Sequence, residues 1–199
     1  MNTLLGYLRQ AGTAVRFLGL ATLVLGLLYP VAVFGLGQVL APAQANGSIL
    51  KDAAGNPAAS ARLVQAPADE KGVQDPRWFH ARPSAVKWDP ASSSASNLGP
   101  NDPNLAKNVE AARETVAAAE GIDPARVPAD AVTASGSGLD PSISVAYAQL
   151  QVPRVAAAHR LSDNEVKALV ERNTTSGLEA FLGQPSVNVT TLNLDLATR

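Results

Sequence analysis

The chain has 199 residues, room for one domain of ordinary size and an appendage. Its 16 basic and 17 acidic side chains nearly balance, which gives no electrostatic footprint for nucleic acid, and the absence of cysteine excludes disulfides and thiolate metal sites. Fourteen prolines, fifteen glycines and 5% aromatic residues describe a loop-rich fold around a modest core.

The near-neutral total hides an asymmetry. Residues 1–16 carry Arg9 and Arg16 and no acid, while the sequence beyond them has a surplus of acids. From Phe17 to Leu40 runs "FLGLATLVLGLLYPVAVFGLGQVL", without charge and with one strongly polar residue, Gln38. About 24 residues at ~1.5 Å each exceed the ~30 Å hydrocarbon core of a bilayer. The positive-inside rule predicts a cytoplasmic N-terminus over 1–16, a transmembrane helix over 17–40, a juxtamembrane linker over 41–58 and an outer, periplasmic domain over 59–199. A cleaved signal peptide is the rival: "APAQA", residues 41–45, offers small-x-small cleavage sites, although the apolar run is longer than the ~7–15 residues of an h-region. Pro30 sits within the run, where neighbours can satisfy the carbonyl of Gly26 that it frees. Gly19, Thr22 and Gly26 fall at i, i+3 and i+7, a small-residue face suited to packing on a partner helix. Glycine is also simply common in membrane helices.

The outer part reads as an α+β domain with about three helices and a few short strands. Leu63 and Val64 begin a candidate strand. "DPRWFHARPSAVKWDP", Asp75 to Pro90, sets two tryptophans, a phenylalanine and four basic residues among three prolines, which predicts a structured loop pinned by its aromatics. "ASSSASNLGPNDP" comes next as a flexible segment. A helix over Pro103–Glu120 has Asp102 as N-cap, Pro103 at N1 and Gly121 as its stop, with Leu105, Val109, Ala112 and Val116 as its apolar stripe. A second helix is predicted from Pro141 to about Gln151, capped by Asp140, with Pro153 breaking or restarting it before His159. A third opens at Ser162, where "SDNE" forms a capping box with Glu165, and Gly177 lies past its end. The tail "VNVTTLNLDLA" alternates at Val187 and Val189, then shifts phase to Leu192, Leu194 and Leu196. That pattern predicts a strand bulged near Thr190-Thr191, or one buried on both faces. No internal repeat is evident.

The stretch "TASGSGLD", residues 133–140, has the glycine and hydroxyl content of a phosphate cradle. It lacks the lysine of a Walker loop, the nearest basic residues being Arg126 and Arg154. Asp140 at a helix start would occupy the N–H groups a phosphate needs and add negative charge. The reading is structural: Gly136 and Gly138 supply backbone freedom for a turn, and Asp140 caps the next helix. His80 and His159 show no metal-ligand spacing. Ser137 is not in a G-x-S-x-G elbow, and a trio of Ser137, His80 and Asp140 is one that any chain of this size offers. No catalytic, cofactor-binding or metal-binding residue is assigned. Asn173-Thr174-Thr175 and Asn188-Val189-Thr190 match the glycosylation acceptor, which matters only in a eukaryotic secretory pathway.

Several stretches line up with one family. Tyr29-Pro30 and Gly37-Gln38, "QANGSI" at 44–49, "FHARPSA" at 79–85, "SNLGP" at 96–100, "VPADAVTASGSGLDP" at 127–141, "PRVA" at 153–156 and "GQPSVNVTTLNLDL" at 183–196 occur in family order over nearly the whole chain. The sequence resembles the KdpC family, the C chain of the bacterial high-affinity potassium-transporting ATPase. It departs at Ala81, where the family usually has glycine, and in "SSSAS", where the family tends to be glycine-rich. The resemblance implies an uncleaved single-pass anchor in the bacterial inner membrane. It also implies assembly with the channel-like, ATP-hydrolysing and small accessory subunits of a potassium pump, with no cofactor of the chain's own. The family is described as raising the pump's ATP affinity. A domain outside the membrane cannot touch cytoplasmic ATP, so such an effect must travel through the assembly. The alternative function is a membrane-anchored periplasmic binding protein or hydrolase acting alone.

Overall fold

The computed structural model describes residues 2–199. Its contacts divide the chain into two units, one ending at Ser48 and one beginning at Ile49. In the first, α1 (Asn2–Leu23), a single π-helical turn (Val24–Leu28) and α2 (Tyr29–Leu40) succeed one another without a break. Helix therefore begins well before the apolar run at Phe17. The stretch Thr3–Leu40 is long and apolar enough to cross a membrane. The π turn is where the proline is absorbed: Tyr29 N–H donates to Val24 O, five residues back, just ahead of Pro30, which has no N–H to give. Gln38, the polar exception of the run, exchanges bonds with Asn46 beyond the turn α3 (Pro42–Ala45). Asn46 Nδ2 donates to Gln38 Oε1 at 3.0 Å and to Pro42 O at 2.7 Å.

In the second unit, residues expected in a linker form a hairpin. Strands β1 (Ile49–Lys51) and β2 (Pro57–Ser60) pair antiparallel, Ile49 opposite Ser60, around a turn in which the Asp52 carboxylate accepts from Ala54 N–H and Asn56 N–H. No strand starts at Leu63-Val64. Those residues are instead held from two sides: Val64 N–H donates to Leu139 O at 2.8 Å, and Thr190 Oγ1 donates to Leu63 O and accepts from Gln65 N–H.

Helix α4 (Pro103–Glu120) has the expected bounds. Asp102 accepts from Asn104 N–H at 2.8 Å, and Gly121 closes it at φ 65°, a left-handed conformation that glycine adopts without penalty. Val109, Ala112 and Val116 lie on the core and Ala117 is buried in it. A 3₁₀ turn (Pro124–Arg126) and α5 (Ala129–Val132) lead to β3 (Ser142–Ser144), α6 (Val145–His159), α7 (Asp163–Arg172), α8 (Gly177–Leu182), β4 (Ser186–Asn188) and α9 (Val189–Ala197). The outer unit thus holds more helix than the three segments expected.

Three expectations about this half need correction. The second helix does not start at Pro141 and Asp140 does not cap it: Pro141 leads into β3, and α6 begins at Val145 with Ser144 Oγ accepting from Tyr147 N–H at 3.0 Å. Pro153 neither breaks nor restarts α6, which runs through it to His159. The tail is not a bulged strand. β4 ends at Asn188, whose Oδ1 accepts from Thr190 and Thr191 N–H and starts α9. The phase shift marks a change from the strand period to the helical one, with Val189, Leu192 and Leu196 buried at i, i+3 and i+7. The capping box of α7 is formed on both sides, Ser162 Oγ accepting from Glu165 N–H and Glu165 accepting from Ser162 N–H. Gly177 does lie beyond α7, and it opens α8 at φ 61°.

β3 and β4 pair antiparallel, Ser142 with Asn188, Ile143 with Val187 and Ser144 with Ser186. This pairing exposes a repeat the sequence reading missed. Pro141-Ser-Ile-Ser-Val145 and Pro185-Ser-Val-Asn-Val189 each hold a three-residue strand whose last residue, Ser144 or Asn188, caps the helix that opens at the following valine. The core lies around this pair: Ile143, Val187, Tyr147, Val152, Val155, Val166, Leu169, Leu192 and Leu196, with Phe79 from the long loop.

Asn188 caps α9 through its oxygen and donates through Nδ2 to Ala61 O at 2.8 Å. Asn188→Ala should cost about 0.5–2 kcal/mol for the cap alone. Asn188→Asp keeps the acceptor, and urea unfolding of residues 49–199 should place it between Ala and wild type.

Candidate functional site

The strongest concentration of buried polar contacts surrounds the loop 74–94, which carries the family-like "FHARPSA". Its backbone has no strand neighbour at Phe79, His80 and Ala81. Three carboxamides take that place. Asn193 of α9 accepts from Phe79 N–H and donates to Phe79 O, both at 3.0 Å. Gln151 of α6 accepts from His80 N–H at 2.6 Å and donates to His80 O at 3.2 Å. Gln74, from the loop itself, accepts from Ala81 N–H at 2.7 Å and donates to Ala81 O at 3.2 Å. A primary amide matches the donor–acceptor pair of a peptide unit, so each side chain bonds one residue as an adjacent strand would. Gln151 and Asn193 are buried.

Arg154 stands beside this ladder. Its guanidinium pairs with Glu120 of α4 at 2.9 Å, with side-chain exposures of 13% and 2%. It also donates to Trp78 O at 3.0 Å, to Gln151 Oε1 at 2.9 Å and to Pro76 O. Burial pushes the Glu120 carboxyl up, and the adjacent Arg154 pulls it back. Burial, and then the charge of Arg154, hold His80 down at about 4. The His80 Nε2 meets Asp75 O at 3.1 Å, and His159 Nε2 meets Arg77 O at 2.9 Å while its ring packs edge-on to Trp78. Both histidines therefore fasten the 75–78 bend. Hydrogen bonds from Arg77 hold Asp75 down at about 2.

The second half of the loop grips the glycine turn 133–140. Gly138 sits at φ 72°, and a Cβ there would come 2.6 Å from Val86 Cγ2, 2.9 Å from Ser94 O and 3.0 Å from Ser84 Oγ. Ser84 Oγ donates to Gly138 O at 2.8 Å and Ser135 N–H donates to Pro83 O at 2.9 Å. Ser135 Oγ accepts from Gly138 N–H at 3.0 Å. The serine-rich segment is not loose: Ser94 N–H and Ser93 Oγ both donate to Ser137 O. The Trp88 indole donates to Arg82 O at 3.0 Å, as expected of a loop pinned by its aromatics. Asp140 accepts from Ser142 N–H at 2.9 Å and pairs with Arg82 at 3.2 Å, so its role is a local turn and an ion pair in place of the helix cap. Gly136 has neither a left-handed φ nor any atom within 4 Å of its Cβ position, so the turn's need for glycine falls on Gly138 alone. Ala81, the departure from the family's glycine, is buried with Val64 and Leu139, where its methyl contributes to a small apolar cluster.

The Ser137, His80 and Asp140 trio is not assembled. Ser137 Oγ accepts from Leu139 N–H, while His80 and Asp140 each have the other partners given above. Among the described residues there is no group of three or more metal-ligating side chains. The acceptor asparagines are engaged too: Asn173 donates to Leu169 O and to the Asp195 carboxylate. On the first unit, Gly19 has nothing within 4 Å of its Cβ position, and the nearest atom to that of Gly26 is Thr22 Cγ2 at 3.8 Å. Sequence reading missed the carboxamide ladder and the Arg154–Glu120 pair. Their signals, a carboxamide among the buried positions of α6 and of α9 and an arginine directly after a helix-internal proline, are visible only once those helices are placed.

Residues 11–198 match the family model described as "K+-transporting ATPase, c chain", KdpC. The potassium-transporting ATPase KdpC subunit of Kineococcus radiotolerans is 49% identical over 191 residues, covering 95% of this chain and 93% of the relative. That of Ralstonia nicotianae is 46% identical over 197 residues, covering 96% and 90%. That of Caulobacter vibrioides is 43% identical over 199 residues, covering 98% and 95%.

Two outcomes are expected for the isolated outer unit, residues 49–199. Gly138→Ala meets a backbone oxygen as well as a left-handed φ, and should lose about 1–3 kcal/mol from backbone conformation alone, whereas Gly136→Ala should leave the melting temperature unchanged. His80 titrates near 6.5 when unfolded and about 4 when folded. Below pH 6.5 the unfolded chain takes up a proton that the folded one refuses, so stability present above that pH declines down to about pH 4, by up to ~1.4 kcal/mol per pH unit. His80→Gln should flatten that decline in unfolding measured from pH 7 to 4. An unchanged slope would remove His80 as its source.

Proposed function

The chain belongs to the K+-transporting ATPase c-chain family, KdpC, and from that premise we propose that it is the non-catalytic accessory subunit of an ATP-driven potassium import complex. The observation that carries this reading is the extent of the match. Residues 11–198 take in most of the long apolar helix as well as the outer unit, so the likeness to the family is confined to neither part.

In this reading the helix Thr3–Leu40 remains uncleaved and crosses the inner membrane once. Arg9 and Arg16 keep its start in the cytoplasm, and residues 49–199 lie in the periplasm. The partners are the channel-like, ATP-hydrolysing and small accessory chains of the pump. The Cβ positions of Gly19 and Gly26 are open apart from Thr22 Cγ2 at 3.8 Å from the latter, which supports close packing of this face on a partner helix. The outer unit is then a docking scaffold. Its polar side chains around 74–94 and 133–140 are spent on fixing the shape of its own loops, which suits recognition by a partner better than turnover of a substrate. Separated from cytoplasmic ATP, the subunit changes the ATP-hydrolysing chain's turnover or ATP affinity through the assembly it stabilises.

Mild-detergent extraction of membranes carrying the tagged chain should bring down the large pump subunits. Gly19→Leu combined with Gly26→Leu should reduce that recovery several-fold while membrane insertion persists. Recovery of the chain with no specific companion would favour a protein that acts alone.

A further inference from the structure

The stretch "APAQA", residues 41–45, holds the small-x-small pattern of a signal-peptide cleavage site twice, once with Ala41 and Ala43 and once with Ala43 and Ala45 at the paired positions. Both sites follow the apolar run, which ends at Leu40, and the side chains of Ala43 and Ala45 are exposed. The backbone is not open. Ala41 N–H donates to Gly37 O at 2.9 Å, and the next four carbonyls are each taken. Ala41 O accepts from Ala45 N–H at 2.9 Å, Pro42 O from Asn46 N–H at 3.1 Å, Ala43 O from Ser48 N–H at 2.7 Å and Gln44 O from Gly47 N–H at 3.2 Å. The side chain of Asn46 closes this turn. Its Nδ2 donates to Pro42 O at 2.7 Å and to Gln38 Oε1 at 3.0 Å, and Ala45 Cβ lies 3.6 Å from the place a Cβ of Gly37 would take.

We infer that this clasp withholds residues 41–45 from the membrane-bound peptidase that removes secretory signal peptides, so that the chain keeps its apolar helix. A peptidase takes its substrate as an extended strand and reads main-chain N–H and C=O groups as well as side chains. At either site water would add across one peptide bond, Ala43–Gln44 or Ala45–Asn46, leaving a carboxylate on the alanine and a new amino terminus on the residue after it. Presenting either bond as a strand requires the carbonyl bonds of residues 41–44 and both bonds of the Asn46 amide to open together. The length of the apolar run also disfavours processing, but it acts through the span, whereas the clasp acts on the sites themselves. Every partner in it lies within residues 37–48, so it closes as quickly as a short loop and needs nothing from residues 49–199. The inference rests on the single-span reading, with these residues on the outer face.

The full chain, tagged after Arg199, is expressed in bacteria, and the tagged product is read by N-terminal sequencing and intact mass in the membrane and periplasmic fractions. Wild type should be whole and confined to the membrane. Gln38→Ala combined with Asn46→Ala removes the side-chain bonds of the clasp and leaves Ala41, Ala43 and Ala45 in place. That variant should lose residues 1–43 or 1–45 and release its outer unit into the periplasm. Adding Ala43→Phe puts a bulky side chain at a paired position of both sites and should restore the whole chain. A double variant that stays whole beside a whole wild type would overturn the inference and leave the single-span reading standing. Cutting that persists with Ala43→Phe would overturn it too, because the loss would then belong to another protease. A wild type that begins at Gln44 or Asn46 would remove the single-span reading, and the inference with it.

Discussion

Three side-chain amides holding three consecutive peptide units set the frame of the outer unit. Phe79, His80 and Ala81 have no strand beside them, and Asn193, Gln151 and Gln74 supply the missing ladder one residue at a time. The arrangement is demanding, because each amide must present its oxygen and its nitrogen at once. Replacing one by leucine would leave both a buried N–H and a buried C=O without partners, each at about 1–3 kcal/mol. Replacing it by an acid would keep the acceptor and lose the donor. The ladder also joins distant parts of the chain: α6, α9 and the loop meet on three adjacent residues, so packing of the helices and registration of the loop become one condition.

Much else depends on that registration. Phe79 is carried into the core, and the next residue, His80, comes under the positive field of Arg154. Arg154 is itself spent on Glu120, Gln151 and the carbonyl of Trp78. A buried pair of this kind contributes little net stability but is costly to break on one side, so it fixes a geometry more than it strengthens a fold. A few residues on, Arg82 reaches Asp140 and Ser84 reaches Gly138, which presses the glycine turn against the loop closely enough to leave no room for a Cβ. The turn that resembles a phosphate cradle is therefore filled by its own chain, with Ser135 Oγ taking the N–H of Gly138.

The parts legible in the sequence are those decided locally. Asp102, Pro103 and Gly121 bound α4 through cap chemistry that needs no knowledge of the rest of the fold, and the box of Ser162 and Glu165 starts α7 for the same reason. The sequence misleads where two local readings compete. Asp140 before Pro141 has the form of a helix start, but pairing of Ser142–Ser144 with Ser186–Asn188 claims those residues for a sheet and passes the cap to Ser144. The phase shift after Val189 reads as a bulge only if a strand continues, and Asn188 is already a helix cap. The candidate site is less legible still. A glutamine at position 151 or an asparagine at 193 carries no mark of burial until the helices that bear them are packed.

A scaffold whose polar groups are spent internally fits a family whose members are named as subunits of a potassium-transporting ATPase. What such a subunit can offer a partner is a loop surface of fixed shape, and the carboxamide ladder is what fixes it. Amide hydrogen exchange on the outer unit tests this most directly. If the ladder holds as described, the N–H groups of Phe79, His80 and Ala81 should exchange as slowly as those of the α6 interior, although no strand pairs with them. Exchange at the rate of an open loop at these three positions would contradict the account.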